Sequence, residues 1–435
     1  MSLWIRGGLV IDPANDLEKV ADLHIVNGRI AALVPAGAVE PEKTDLVIDA
    51  TGLWVVPGLI DMHVHLREPG YEYKETIATG CAAAVAGGFT AVACMANTMP
   101  VNDSAAVTEF ILERARLAGT ARVYPIGAVS KGLAGQELAE IGEMRRAGIV
   151  AVSDDGHPVQ DGLLMRRALE YASMFGLPVI AHEEDRSLSA GGVMNEGEWS
   201  FRLGLPGIPN AAEEAMLARD LAILERSGGH LHVAHVSTAG AVELIRAAKR
   251  RGLPVTAEAA PHHFSLTERA VAEYNAQAKM NPPLRTEADV QAVREGLLDG
   301  TIDCVATDHA PHHEDEKLCE FDRAANGIIG LETALALTLA MARETGWSRK
   351  QMIAALSTNP ARILRIPGGA LEVGAPADVT VIDPDLVWCV EAEDLRSRSR
   401  NTPFLGWELR GRAVMTVVNG EIKWRLGEPL NGERQ

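Results

Sequence analysis

Two histidines one residue apart, His63 and His65, end an apolar run that begins at Val55. In a β-strand, residues i and i+2 point to the same face, so both imidazoles can converge on one point. Imidazole nitrogens bind zinc-like ions well, and a strand that ends at a mouth leaves coordination positions for water. Arg67 follows two residues later and could hold an anionic substrate beside the metal. The motif alone also fits a strand end with two surface histidines, so other residues must decide.

More residues of these types lie where other short apolar segments end: Asp155 after Asp154, His182, His235 and Asp308. Taken singly, a histidine at a strand end is more often structural, and Asp155 before a glycine is more often a helix cap. Their coincidence at several strand ends favours a metal site. Four imidazoles and at least two carboxylates exceed the needs of one ion, whereas two ions that share a bridging carboxylate would use them all.

The elements that must position these residues are short apolar strands that alternate with helices rich in Ala, Leu, Glu and Arg. This alternation is typical of βα units around a parallel sheet. About eight units predict an α/β fold with a TIM-type (β/α)8 barrel, whose site lies at the carboxyl ends of the strands. The predicted strands are 58–65, 90–97, 122–130, 149–155, 177–182, 230–236, 254–259 and 303–308, and the predicted helices include 103–118, 162–175, 211–227, 239–251 and 288–299.

Both ends of the chain have a different pattern, with short β-strands broken by turns such as Asn27-Gly28 and Asn419-Gly420. We expect the two ends to come together as one small β-sandwich domain, although two unrelated flanks are the alternative. The predicted domains are therefore a composite β-sandwich of residues 1–56 plus 365–435 and a catalytic barrel of residues 57–364.

Composition narrows the possible functions. The formal net charge of −18 disfavours binding to a nucleic-acid backbone. Five scattered cysteines predict reduced thiols, so any metal must be held by His and carboxylate side chains. The apolar stretch of residues 334–342 is too short to span a membrane, and the first residues carry no signal-peptide pattern. We therefore expect a cytoplasmic protein with no membrane or nucleic-acid partner.

With these residues placed, the chain resembles the amidohydrolase superfamily and, within it, the bacterial stand-alone dihydroorotases. The resemblance covers essentially the whole chain. It is carried by two specific motifs: Asp61-Met-His63-Val-His65-Leu-Arg67-Glu-Pro-Gly70 at the end of the first barrel strand, and Ala306-Thr-Asp308-His309-Ala-Pro311-His312 at the end of the eighth.

The resemblance implies two Zn²⁺ ions per chain, bridged by Asp155 and a hydroxide, with variable occupancy. In hydantoinases, allantoinases and animal-type dihydroorotases a carbamylated lysine forms the bridge, but residues 148–156 contain no lysine, which favours the aspartate-bridged type. Asp154 is a candidate for supporting the ligands, and the remaining histidines, including His232, are expected to be structural or peripheral. The implied ligands are His63, His65, Asp155, His182, His235 and Asp308.

The resemblance also implies how a substrate is held. Arg67, Asn97 and His312 are expected to bind a ring carboxylate, with His65 beside them. Asn281 and the segment of Asn326 and Gly327 are expected to contact the ring, although related sequences commonly carry Phe where this chain has Asn326.

The implied activity is dihydroorotase: the reversible cyclisation of N-carbamoyl-L-aspartate to L-dihydroorotate plus water in de novo pyrimidine (UMP) biosynthesis. A metal-activated hydroxide is the expected nucleophile, and Asp308 is the expected general acid/base. The alternatives are another cyclic amidase, such as a hydantoinase or allantoinase, and a non-catalytic dihydroorotase-like subunit of aspartate transcarbamoylase. Besides the substrate, the implied partners are a second copy of the chain in a homodimer and aspartate transcarbamoylase.

Overall fold

The computed structural model describes residues 2–428 and contains a barrel of eight parallel strands. Each strand pairs with the next one along the chain. The amide of His65 donates to the carbonyl of His309 at 2.8 Å, which links the first strand to the segment after the eighth and nearly closes the barrel. The predicted fold class is confirmed. The barrel strands are Leu59–Val64, Phe89–Cys94, Arg122–Gly127, Ala151–Ser153, Val179–Ala181, Leu231–Val233, Val255–Ala259 and Cys304–Val305.

The observed barrel strands are mostly shorter than the predicted ones because the backbone leaves the sheet where polar side chains begin. Arg67, His235 and Asp308 have φ angles of 63°, 32° and 48°, in the left-handed region that L-residues rarely adopt. Such backbone persists where the surroundings fix it, and it is common at functional sites. The turns therefore present side chains at the mouth of the barrel instead of continuing the strands.

The helices surround the barrel, and the five predicted ones begin and end within two residues of their predicted bounds. Several begin at polar caps; for example, the hydroxyl of Thr238 accepts from the amide of Ala241 at 3.2 Å. Among residues 2–428, no helix is long and apolar enough to cross a bilayer. The α-helices are Ile77–Ala86, Ala105–Ala118, Ile141–Ala147, Gly162–Ser173, Arg186–Ser189, Glu198–Leu203, Asn210–Ser227, Ala239–Arg250, Pro261–Ser265, Glu287–Leu298, Ala334–Thr345, Arg349–Ile353 and Asn359–Leu364.

A second sheet joins the two ends of the chain, as predicted, because Trp54–Pro57 pairs antiparallel with Val379–Cys389. Its first strand, Ser2–Asp12, is continuous but has a register shift between Ile5 and Gly8. The domain boundaries stay a prediction, and residues 429–435 lie outside the described residues. The strands of this sheet are Ser2–Asp12, Leu17–Val26, Arg29–Pro35, Leu46–Asp49, Trp54–Pro57, Val379–Cys389, Glu408–Val418 and Glu421–Arg425.

Buried apolar side chains form separate clusters. The largest joins the barrel strands to the helices around them, and a second lies against the sheet of the chain ends. A third cluster includes Met280, Phe321, Ile328 and Phe404, and so packs the C-terminal segment against loops that follow the barrel strands. The part of the chain around Phe404 therefore contributes to the mouth of the barrel, while its neighbouring strands belong to the second sheet.

Candidate active site

Asp155 lies at the centre of the predicted ligands. Its Oδ1 is 3.6 Å from Nε2 of His63, 3.5 Å from Nδ1 of His182 and 3.3 Å from Nε2 of His235. Its Oδ2 is 3.4 Å from Nε2 of His65. All five side chains are buried. One carboxylate from the fourth barrel strand thus faces imidazoles from the first, fifth and sixth.

Asp308, after the eighth strand, joins the same cluster. Its Oδ1 lies 3.1 Å from Nε2 of His65 and 3.5 Å from Nε2 of His63. Among residues 2–428, two groups of side chains have ligand atoms close enough to share an ion, and both contain His63. The groups are His63, Asp155 and His235, and His63, His65 and Asp308.

The donor set fits a zinc-sized ion. Ligand atoms about 2.1 Å from a tetrahedral ion lie roughly 3.4 Å from one another. The separations between the imidazole nitrogens and the carboxylate oxygens are 3.1 to 3.6 Å. In addition, Nε2 of His63 is buried without a hydrogen-bond partner and faces both carboxylates. A buried polar atom without a partner is costly, and a bound cation would satisfy it.

Glu258, the fourth of five residues in the seventh strand, contacts the ring of one predicted ligand and the backbone of another. Its Oε1 is 2.6 Å from Nδ1 of His63 and accepts from the amide of His235 at 3.4 Å. Its Oε2 is 3.1 Å from Nε2 of His232. Carboxylates that accept from the second nitrogen of a metal-binding histidine fix the ring and its tautomer. Glu258 was not predicted from the sequence; the signal available was a charged residue within the strand Val255–Ala259.

Two other imidazoles are oriented by partners on their outer side. Nδ1 of His65 lies 2.9 Å from Oδ1 of Asn97. Nε2 of His182 lies 3.0 Å from Oε2 of Glu184, and the same oxygen accepts from Nδ2 of the Asn281 side chain at 3.0 Å. In each case the other ring nitrogen faces Asp155. Glu184 was also missed in the sequence, where it reads only as one of two glutamates after His182.

Two carboxylates of the cluster favour the ionised form. Burial opposes ionisation of Asp155, but the charge of His63 and hydrogen bonds from His182 and His235 hold its pKa well below the ordinary value. Burial also opposes ionisation of Glu258, and its partners His63 and His232 lower its pKa to about 2. Both groups are therefore anionic at neutral pH, which suits a cation site.

The residues expected to bind a substrate carboxylate lie beside this cluster. Nε of Arg67 donates to the carbonyl of Pro311 at 3.1 Å, and its Nη2 lies 3.3 Å from Nε2 of His312. Asn97 contacts a different residue, His65, through its hydrogen bond with Nδ1 of that imidazole. The structure thus places Arg67 against His312, and Asn97 against one of the predicted ligands.

The residues expected at the ring have different surroundings. Asn281 is half-buried and lies 3.5 Å from Nε2 of His182. Gly327 is buried, and a Cβ there would stand 2.8 Å from Cδ2 of His312. The side chain of Asn326, in contrast, is exposed. Of these two residues, Gly327 is therefore the better placed to contact a substrate ring.

Asp154 supports a neighbouring loop. Its Oδ1 accepts from the amides of Val129 at 2.8 Å and Ser130 at 3.0 Å, and its Oδ2 accepts from the hydroxyl of Ser130. These bonds tie the end of the fourth strand to the loop after the third. They fit a supporting role for Asp154 through the backbone rather than through the imidazoles.

Comparison with known proteins gives consistent matches. The dihydro-orotase-like family matches residues 52–241, and an amidohydrolase family matches residues 325–423. A dihydroorotase of Syntrophotalea carbinolica is 57% identical over 429 residues, covering 98% of this chain and 100% of the relative. A dihydroorotase of Syntrophobacter fumaroxidans is 58% identical, covering 96% of this chain and 95% of the relative.

Solved structures agree on the fold. An L-hydantoinase (dihydropyrimidinase) from Arthrobacter aurescens superposes with a TM-score of 0.87 at 24% identity, covering 99% of this chain and 97% of that one. A D-hydantoinase (dihydropyrimidinase) from Thermus sp. has a TM-score of 0.80 at 28% identity, with the same coverage of both chains. By its identity to curated relatives over nearly its full length, this chain belongs to the dihydroorotase family of the amidohydrolase superfamily.

Proposed function

We propose that this chain is a dihydroorotase that interconverts N-carbamoyl-L-aspartate and L-dihydroorotate in pyrimidine biosynthesis. Membership of the family supports the activity. The observation that carries the proposal is the position of Arg67 and His312, whose Nη2 and Nε2 atoms lie 3.3 Å apart, next to a buried cluster of four imidazoles and two carboxylates. A ring that carries both a carboxylate and a hydrolysable amide needs both features together.

The six clustered residues would hold the metal, which we propose to be two Zn²⁺ ions with Asp155 between them. When bound, such ions polarise the ring amide carbonyl and lower the pKa of a water nucleophile. The protein contributes a buried position and fixed imidazole tautomers. Glu258 and Asn97 serve the second purpose for His63 and His65, respectively.

Asp308 is the proposed general acid/base. Written as hydrolysis, it takes the proton of the attacking water and delivers it to the ring nitrogen as the amide bond breaks. Its Oδ1, 3.1 Å from His65, places the carboxylate at the edge of the cluster. Its pKa is lowered by His63 and His65 although burial opposes this, so the carboxylate is ionised and able to accept a proton.

The substrate carboxylate is the group that Arg67, His312 and Asn97 would bind. A guanidinium offers paired N–H donors that match a carboxylate. Because Oδ1 of Asn97 faces Nδ1 of His65, the amide N–H donors of Asn97 stay available for the substrate. Fixing the carboxylate orients the ring amide towards the ligand cluster. We propose that His65, a member of that cluster, also contacts the substrate.

The ring itself would be contacted by Asn281 and Gly327. Asn281 is held by Glu184 at 3.0 Å, which fixes the direction of its amide. Because the side chain of Asn326 is exposed, we propose that this segment acts through the backbone next to Gly327. On this account the substitution of Asn for the common Phe has little effect on ring binding.

A homodimer, association with aspartate transcarbamoylase and a cytoplasmic location stay predictions from the family resemblance. The mass of the purified protein in solution, alone and with aspartate transcarbamoylase, tests the first two. A non-catalytic scaffold is disfavoured because such relatives usually lose ligands, whereas all six predicted residues are present and clustered.

The experiment that tests the function is a spectroscopic assay of Zn²⁺-reconstituted protein with dihydroorotate, hydantoin and allantoin in parallel. We expect turnover of dihydroorotate and little or none of the two rings without a carboxylate at this position. Turnover of hydantoin or allantoin without turnover of dihydroorotate would favour the other cyclic amidases. Loss of all three activities in metal-loaded protein would favour the scaffold.

A further inference from the structure

Residues 396–402, called the strap below, connect the second sheet to the mouth of the barrel. Two carboxylates of the barrel loops, the buried Glu75 and the half-buried Glu332, hold the strap. Glu75 accepts from the amide of Arg398 at 3.0 Å and from the hydroxyl of Ser397. Glu332 accepts from two amides of the strap, the shortest at 2.8 Å. The strap is therefore anchored independently of its last residues.

Asn401 extends from the strap into the mouth and is only 3% exposed. Its Oδ1 accepts from the amide of His312 at 2.9 Å. Its Nδ2 donates to the carbonyl of Ala310 at 2.9 Å and to that of Gly327 at 3.0 Å. One side chain thus satisfies three buried backbone groups of two different segments. Only a side-chain carboxamide can accept one hydrogen bond and donate two others in this way.

These two segments are the ones assigned above to the substrate. His312 would bind the carboxylate, and Gly327 lies so close to it that a Cβ would stand 2.8 Å from its ring and 2.7 Å from the carbonyl of Ala310. The two segments are therefore closely packed at this point. They bond each other directly through the amide of Ala310 and the carbonyl of Ile328 at 3.0 Å, and Asn401 adds side-chain hydrogen bonds to both of them.

We propose that Asn401 is a positioning residue for substrate binding. By holding the backbone of His312 and Gly327 together, it places the His312 imidazole beside Arg67 to receive the ring carboxylate. The inference rests on the proposed function. It extends that function by giving the C-terminal segment a part in substrate affinity, although Asn401 touches no substrate itself.

A positioning role for Asn401 can be told from a purely structural one, because the strap has other anchors. The strap keeps its bonds to Glu75 and Glu332 and the packing of Phe404 in the third apolar cluster when Asn401 is changed. Loss of Asn401 should therefore leave the fold and the metal ligands in place. The effect should fall on KM, because misplaced binding groups weaken substrate affinity more than they alter the reacting atoms.

The test is a comparison of Asn401→Ala with Ser399→Ala in metal-loaded protein. Ser399 lies in the same strap, and its hydroxyl donates to the carbonyl of Lys74 at 2.7 Å without contacting the two substrate segments. We expect Asn401→Ala to raise KM for dihydroorotate about tenfold, with kcat within about threefold of wild type. Metal content should match that of Ser399→Ala, whose KM should stay at the wild-type value. Tm should be lower in Asn401→Ala than in Ser399→Ala, because three buried backbone groups lose their partner.

Asn401→Asp provides a second variant if Asn401→Ala does not fold. It keeps an acceptor for the His312 amide but turns a carboxylate oxygen towards two carbonyls, so KM should again rise. An unchanged KM in a folded Asn401 variant, an equal rise in Ser399→Ala, or a loss confined to kcat would each overturn the inference. Wild-type protein that is inactive on dihydroorotate would instead refute the proposed function, and the inference with it.

Discussion

Nδ1 of His63 lies 2.6 Å from Oε1 of Glu258, and both side chains are fully buried. This contact leaves Nε2 of His63 facing Asp155 and Asp308 with no hydrogen bond of its own. The same carboxylate reaches the amide of His235 at 3.4 Å. Glu258 therefore sets the direction of one proposed ligand and the backbone of another.

Replacing Glu258 by Gln should weaken metal binding. The amide keeps the size of the side chain but loses the negative charge that fixes the His63 tautomer, so Zn²⁺ affinity should fall about ten- to a hundredfold. Competition with a chromogenic chelator measures the Kd. Glu268→Gln is the matched control, because Glu268 is also buried and bonds Asn195 at 2.6 Å. Equal Kd values in the two variants would contradict this role.

Replacing Asp308 by Ala should abolish turnover while much of the metal stays bound. Five of the six proposed ligands remain, but no group is left to move the proton between water and the ring nitrogen. We expect kcat to fall at least about a thousandfold. Single-turnover assays and metal analysis of the same preparation measure both quantities. A variant with wild-type rates would exclude Asp308 as the general acid/base.

Replacing Arg67 by Lys should raise KM for dihydroorotate while metal content is unchanged. Lysine keeps the charge but cannot offer the paired donors of a guanidinium, so we expect an increase of about ten- to a hundredfold. Arg116→Lys is the control, because Arg116 is exposed on a surface helix and pairs with Glu113. Steady-state kinetics decide, and equal KM values in the two variants would remove Arg67 from the carboxylate site.

Glu332, which holds the strap, should make the stability of the folded protein depend on pH. Burial raises the pKa of Glu332 to about 7, so the folded state holds its proton more tightly than the unfolded state. Its contribution to stability is therefore present below the unfolded value near 4.5 and is lost as the pH rises towards 7. Between pH 5 and 7.5 wild type should lose more stability than Glu332→Gln, by at most about 3 kcal/mol. Urea unfolding at both pH values measures this difference, and parallel losses would contradict it.

The proposed ligands could be predicted from the sequence because they follow apolar strands whose order along the chain is also their order in the barrel. His63, His182 and His235 each lie just after or at the end of such a strand. Parallel strands bring these positions to one edge, so neighbouring strand ends meet without knowledge of the detailed packing. The barrel and the candidate cluster could be predicted in this way, and most of the second sheet could be predicted from the short strands and turns at the chain ends.

Other contacts could not be predicted because they depend on three-dimensional packing. Glu258 lies within a strand, and its partner His63 is 195 residues away. Asn401 comes from a segment assigned to the second domain, yet it reaches Gly327 and His312 in the barrel. Neither residue belongs to a local motif. Only the folded chain brings each of them to the groups that it orients.

We propose that this buried cluster holds the metal that ring opening requires. The most direct measurement is the rate of dihydroorotate hydrolysis against bound metal per chain, as chelated protein is titrated with Zn²⁺. We predict a rate near zero without metal, a rise in proportion to bound Zn²⁺, and saturation near two ions per chain. A full rate in protein that retains less than about a tenth of an ion per chain would contradict the account.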